Sequence, residues 1–87
     1  MYKVRYHKRV VKFLQSQPLA VRQKIVETFD TLKAQPHDHR NFDIKPLKGF
    51  ENAYRLRIGK YRILYRIDDG ALLIFVTDAG SRGDIYK

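Results

Sequence analysis

The sequence predicts an α+β domain: a strand, a helical hairpin, then an antiparallel meander, with the helices on one face of a small curved sheet. Three observations predict it. Apolar residues recur at helical spacing between residues 8 and 34. Period-two alternation occupies residues 2–6 and 54–67. Clusters of Gly, Asp and Pro punctuate the segments between. A chain of 87 residues is expected to form one small domain spanning 1–87, with a core of limited size.

Residues 2–6 alternate and read as a short first strand. Residues 8–15 put Val10, Val11 and Leu14 at helical spacing beside Phe13. Ser16-Gln17-Pro18 stops that helix and can start another, because proline is favoured in a first turn. The second helix runs to about Ala34 on a stripe of Val21, Ile25, Phe29 and Leu32, widened by Val26. Gln35-Pro36 ends it. Residues 36–52 read as a polar loop that anchors Phe42, Ile44 and Leu47 in the core.

A hairpin follows over Tyr54–Arg66. Glycine at the first position of the Gly59-Lys60 loop suits a type II′ turn. That register sets Ile58 opposite Tyr61, Arg57 opposite Arg62, and Arg55 opposite Leu64. Asp68-Asp69-Gly70 reads as a second turn, with Asp69-Gly70 favouring type I′. Leu72–Thr77 is a continuous apolar run, as expected of a strand covered on both faces or lying mid-sheet, and Asp78-Ala79-Gly80 is expected to break it. This second register places Thr77 opposite Arg62 and lets Arg82 leave the sheet near Arg57 and Arg62. The tail from Ser81 to Lys87 is short and polar.

The net charge is +9, from 18 Lys and Arg against 9 Asp and Glu. Such an excess points to nucleic acid, an anionic membrane or an acidic protein partner. The absence of cysteine excludes disulfides and thiolate metal sites and fits a reducing compartment. With no signal-like segment and no apolar run long enough for a bilayer, a cytoplasmic protein without membrane association is expected.

The hairpin concentrates this charge. Alternation puts Arg55, Arg57, Arg62 and Arg66 on one sheet face and the aromatic and aliphatic residues on the other. One or two such charges would be an ordinary solvated strand face. Four with little interleaved acid point to phosphate, which guanidinium groups grip as a bidentate fork. Like charges opposed across strands destabilise a sheet, which also argues for a polyanionic partner. Base-reading side chains are lacking on this face, so weak sequence selectivity is expected. Lys48, Lys60 and Arg66 are candidate backbone contacts, Lys48 being equally readable as an ordinary loop lysine. His7, at a helix start, and His37 and His39, in a polar loop, lack metal-ligand spacing, so no metal and no cofactor are expected. Asp68 and Asp69 read as turn residues rather than paired acid–base carboxylates.

Over essentially its whole length the chain resembles the RelE/ParE superfamily of type II toxin–antitoxin toxins, and within it the RelE-like mRNA interferases. Lys45-Pro46-Leu47-Lys48-Gly49, Ala53-Tyr54-Arg55-Leu56-Arg57-Ile58-Gly59-Lys60-Tyr61-Arg62-Ile63-Leu64-Tyr65-Arg66-Ile67 and Gly80-Ser81-Arg82-Gly83-Asp84-Ile85-Tyr86 carry the resemblance. It implies a metal-independent, ribosome-dependent endoribonuclease that inhibits translation. In that chemistry the 2′-hydroxyl attacks the adjacent phosphate. It implies catalytic roles for Arg55, Arg57, Arg62, Arg82 and Tyr86. It also implies a cognate antitoxin as partner, beside the ribosome and mRNA. Ser81 stands where many relatives have histidine, and arginines stand at 55 and 57 where some have lysine. Arginine stays protonated and is a poor base, so the general base is unassigned, with Lys48 or a tyrosine as participants. A ParE-like gyrase inhibitor and a non-cleaving RNA- or ribosome-binding protein are the alternatives.

Overall fold

The computed structural model describes residues 1–81. Its elements are β1 (Lys3–Tyr6), α1 (Lys8–Gln15), α2 (Leu19–Leu32), β2 (Ile44–Pro46), β3 (Ala53–Ile58), β4 (Tyr61–Asp68) and β5 (Leu73–Ser81). They form one five-stranded sheet in the order β1-β5-β4-β3-β2. The last four strands pair antiparallel, whereas β1 lies parallel to β5. The sheet is therefore mixed, and β5 is an interior strand, which accounts for its apolar run.

Both helices begin and end for local reasons. The His7 side chain accepts from the Arg9 amide at the start of α1, and the Ser16 amide closes its last turn. Pro18 lies just outside α2, at the N-cap, rather than within the first turn. The helices cover the face of the sheet that carries Leu56, Ile63, Tyr65, Ile67, Ile74 and Val76. Ile25, Phe29 and Leu32 of α2 are fully buried there. The Phe29 ring sits edge-on to Tyr65 at 5.2 Å and to Tyr6 at 6.1 Å, contacts that add to burial of about 1.5–3 kcal/mol per large side chain. On α1, Val10 and Leu14 are buried but Val11 is exposed. A helix this short turns only two of its apolar positions fully inward.

The β3–β4 register is the expected one: Ile58 faces Tyr61, Arg57 faces Arg62 and Arg55 faces Leu64. Gly59 has φ +57° and Lys60 does not enter the left-handed region, as a type II′ turn requires. Three expectations fail. First, Ile44–Pro46 is an edge strand paired to β3 instead of loop; Pro46 is tolerated because an edge needs no second row of N–H donors. Second, the β4–β5 turn holds four residues, Asp69 to Leu72, between the paired Asp68 and Leu73. Leu72, not Gly70, takes the left-handed conformation, at φ +52°. The Asp68 carboxylate stabilises this turn by accepting from the Ala71 amide at 3.0 Å.

Third, β5 does not stop at Asp78 but continues through Gly80 to Ser81. A bulge at Thr77 makes Leu64 face Asp78 while Tyr65 faces Val76. The longer turn and the bulge together put Gly80, not Thr77, opposite Arg62.

Candidate nucleic-acid interface

The register aligns the open face of the sheet in rows. One row runs Arg57, Arg62, Gly80; the next runs Arg55, Leu64, Asp78. A third runs Ala53, Arg66, Phe75, Arg5. Arg57 and Arg62 thus meet at the hairpin end, beside a glycine that adds no side chain to the row. Ser81 lies next to them, opposite Tyr61.

Acid is closer to these arginines than strand alternation suggests. Asp43, from the segment before β2, accepts from Arg55 Nη2 at 3.0 Å and from Arg57 Nε at 2.7 Å. The expectation of little interleaved acid fails because the loop folds back along β3, where the Arg57 amide donates to the Asp43 carbonyl at 2.9 Å. The two arginines then differ. The Arg55 side chain is only 13% exposed, against 49% for Arg57. Arg55 Nε is buried with no hydrogen-bond partner. No strand pattern could have located Asp43, because its contact spans 12 to 14 residues. A second acid, Asp78, faces Leu64 and pairs with Arg9 at 3.6 Å.

Lys48, Lys60 and Arg66 are all exposed. Lys60 Nζ lies 5.4 Å above the Tyr61 ring. Arg66 flanks a shallow groove of about 290 Å³ with Leu47, Phe50, Ala53, Leu64 and Asp78, one row or more from the Arg57–Arg62 pair. Arg82 and Tyr86 lie outside the described residues.

The tyrosines of the hairpin serve the core. Tyr54 stacks on Tyr65 at 5.6 Å, and His39 packs edge-on to Tyr54 at 5.0 Å. His37 is exposed, as a loop histidine should be, whereas His39 is half-buried against Tyr54 and departs from that expectation. Burial pushes the Tyr65 phenol up, and burial followed by the Asp30 charge pushes Tyr6 up to about 12. Neither suits proton transfer near neutral pH. Away from the sheet face, Asp69 accepts from the Tyr2 hydroxyl at 2.6 Å and lies 2.9 Å from His37 Nε2, and these contacts hold its carboxyl below the usual range. Among the described residues no three His, Asp or Glu converge as a metal site.

The profile of a family described as the ParE toxin of the parDE type II toxin–antitoxin system matches residues 4–86. The chain belongs to the RelE/ParE superfamily of type II toxins. It is 38% identical over 86 residues to a Methanocaldococcus jannaschii protein named toxin RelE1, covering 99% of this chain and 96% of that protein. A crystal structure of an archaeal RelE–RelB complex from Pyrococcus horikoshii OT3 superposes with a TM-score of 0.84 at 35% identity, covering 95% and 97% of the two chains. A RelB–RelE antitoxin–toxin complex from Methanococcus jannaschii gives 0.77 at 28% identity, with 94% of each chain covered. This RelE-like toxin therefore has the α+β architecture of its relatives. No helix among its described residues is long and apolar enough to cross a membrane.

Proposed function

We propose that this toxin cuts mRNA held on the ribosome, using the Arg57–Arg62 end of the hairpin as its phosphate site. The supporting observation is the pairing of these two arginines across the turn, one of them half-exposed, in a chain similar to proteins named RelE. The substrate's 2′-hydroxyl attacks the adjacent phosphorus and the bond to the 5′-oxygen breaks, leaving a 2′,3′-cyclic phosphate and a 5′-hydroxyl. Arg57 and Arg62, joined by Arg82, stabilise the charge that grows on the phosphorane oxygens, the preorganised electrostatic help that dominates many such reactions. Arg55, mostly buried one row along the same face, supports that end of the sheet through Asp43. Tyr86 stacks on a splayed base. Lys48, Lys60 and Arg66 bind backbone outside the Arg57–Arg62 pair, and Lys48 or a solvent proton acceptor assists proton transfer. No metal takes part. The ribosome sets the site of action in the cytoplasm.

The partner is a cognate antitoxin with an acidic or amphipathic segment that wraps the helices and masks the basic face. Both structural relatives described above are themselves complexes with RelB.

The test is to induce the toxin without its antitoxin and map transcript ends on isolated ribosomes. New 5′-hydroxyl ends inside ribosome-occupied reading frames, unaffected by chelator, are expected. Intact mRNA accompanied by broken or abnormally supercoiled DNA would instead assign the ParE-like gyrase inhibition that the sequence resemblance leaves as an alternative. Intact mRNA bound to ribosomes, with DNA unaffected, would leave a non-cleaving binder.

A further inference from the structure

Among the described residues, Asp43 is the acidic side chain that touches two arginines of the basic face. Its position is set first by the main chain, through the Arg57 amide, and only then by its carboxylate. Oδ1 neutralises Arg55, a cation too buried for water to solvate well. Oδ2 takes Arg57 by Nε alone. A guanidinium has five N–H donors in a rigid plane, so this contact leaves the two Nη nitrogens for another acceptor. Arg57 also faces Arg62 across the hairpin. Without Asp43, a half-exposed arginine beside another cation would swing into solvent.

We propose that Asp43 is a positioning residue for phosphate chemistry. It holds Arg57 by Nε so that the Nη edge meets the scissile phosphate on the Arg62 side, and it does not itself touch RNA. The inference rests on the mRNA-cleaving reading above. It differs in sign from simple shielding. A carboxylate that only screened the face would be expelled by RNA, and its removal would aid both binding and cutting. A positioning carboxylate stays in place, and its removal separates the two. One negative charge fewer strengthens backbone binding, while the misaligned arginine slows the chemical step.

The test uses the full-length chain in single-turnover cleavage of a defined mRNA on programmed ribosomes, over a range of toxin concentrations. Asp43→Asn keeps the size and one acceptor oxygen. Its maximal rate should fall roughly 10–100-fold, the scale of loss when a reacting group is misplaced by about 1 Å. Its half-saturating concentration should stay level or decrease. Asp43→Glu should recover part of the rate. In the wild-type protein bound to an RNA with a 2′-deoxy cut site, the Arg57 Nε–H resonance should remain protected from exchange, and in Asp43→Asn it should not. If Asp43→Asn fails to fold, Asp43→Glu carries the kinetic test, with a lowered maximal rate at unchanged half-saturation.

A folded Asp43→Asn protein cutting within about twofold of wild type would overturn the proposal. So would loss of Arg57 Nε–H protection when RNA binds. In both cases the wild type still cuts, so the cleavage reading stands. A wild type that leaves mRNA intact removes the cleavage reading itself and the positioning role with it.

Discussion

Replacing Arg55 and Arg57 separately by alanine should divide their roles, although they are alike in sequence and neighbours on β3. Arg55 is 13% exposed and donates to Asp43 at 3.0 Å. Losing a charge-assisted hydrogen bond of this kind costs about 1.5–3 kcal/mol. Two facts reduce that figure. Asp43 keeps Arg57 at 2.7 Å and is partly solvated, so its charge is not stranded. Arg55 Nε is buried without a partner, so its removal relieves a desolvation penalty. The net is a destabilisation of about 1–2 kcal/mol, or a fall in Tm of roughly 5–15 °C for a chain of this size. Arg57 is half-exposed, and its ion pair is worth at most about 1 kcal/mol to folding. Arg57→Ala should melt within about 8 °C of wild type. Its cleavage rate should nonetheless fall about 10²–10³-fold, as when one transition-state donor is removed. The assays are circular-dichroism melts and single-turnover cleavage at a temperature where every variant is folded. If Arg55→Ala melts with wild type yet loses cutting as severely as Arg57→Ala, burial is the wrong guide and Arg55 contacts the phosphate.

Three further outcomes are expected. Arg62→Ala should lower the cleavage rate about 10²–10³-fold, whereas Arg66→Ala, two rows away, should mainly weaken binding and reduce the salt slope by about one phosphate; equal losses of maximal rate would show the active centre to be misplaced. Tyr65→Phe removes a buried hydroxyl that has no hydrogen-bond partner, so it should raise stability by about 1 kcal/mol in denaturant titrations, and a lower midpoint would show that the hydroxyl is satisfied. Tyr65 and Tyr6 have phenol groups raised above the ordinary value of 10.0, so below pH 10 both states are protonated and stability is unaffected. As pH rises from 10 toward the folded values, the unfolded chain ionises first, and stability should fall by up to about 1.4 kcal/mol per pH unit for Tyr65, with a smaller loss for the less buried Tyr6. Denaturant midpoints that fall between pH 9 and 11 as steeply in the Tyr65→Phe background as in wild type would refute the Tyr65 assignment.

Local signals were sufficient for α1, α2 and the first hairpin. Apolar periodicity, a proline stop and a glycine-led turn act within a few residues of one another, and the β3–β4 register follows from turn geometry alone. The same alternation carried Arg55, Arg57, Arg62 and Arg66 onto one face, and the +9 charge gave that face a polyanionic partner to expect. Local reasoning failed where distant chain supplied the deciding interaction. Asp69-Gly70 has the composition of a tight turn, but pairing of β5 between β1 and β4 favoured a longer loop with Leu72 in the left-handed region. Ile44–Pro46 is too short and too proline-bound to read as a strand, and becomes one because β3 offers an unpaired edge.

The sequence by itself determined the helices, the hairpin, its facing arginines and the family to which the chain belongs, because each is written in neighbouring residues. Only the tertiary structure decided that β1 would close the sheet beside β5, that Gly80 rather than Thr77 would face Arg62, and that Asp43 would lie between Arg55 and Arg57. These depend on which segments meet in space. Charge, burial and hydrogen bonding act through distance, and distance between residues far apart in the chain is set by packing.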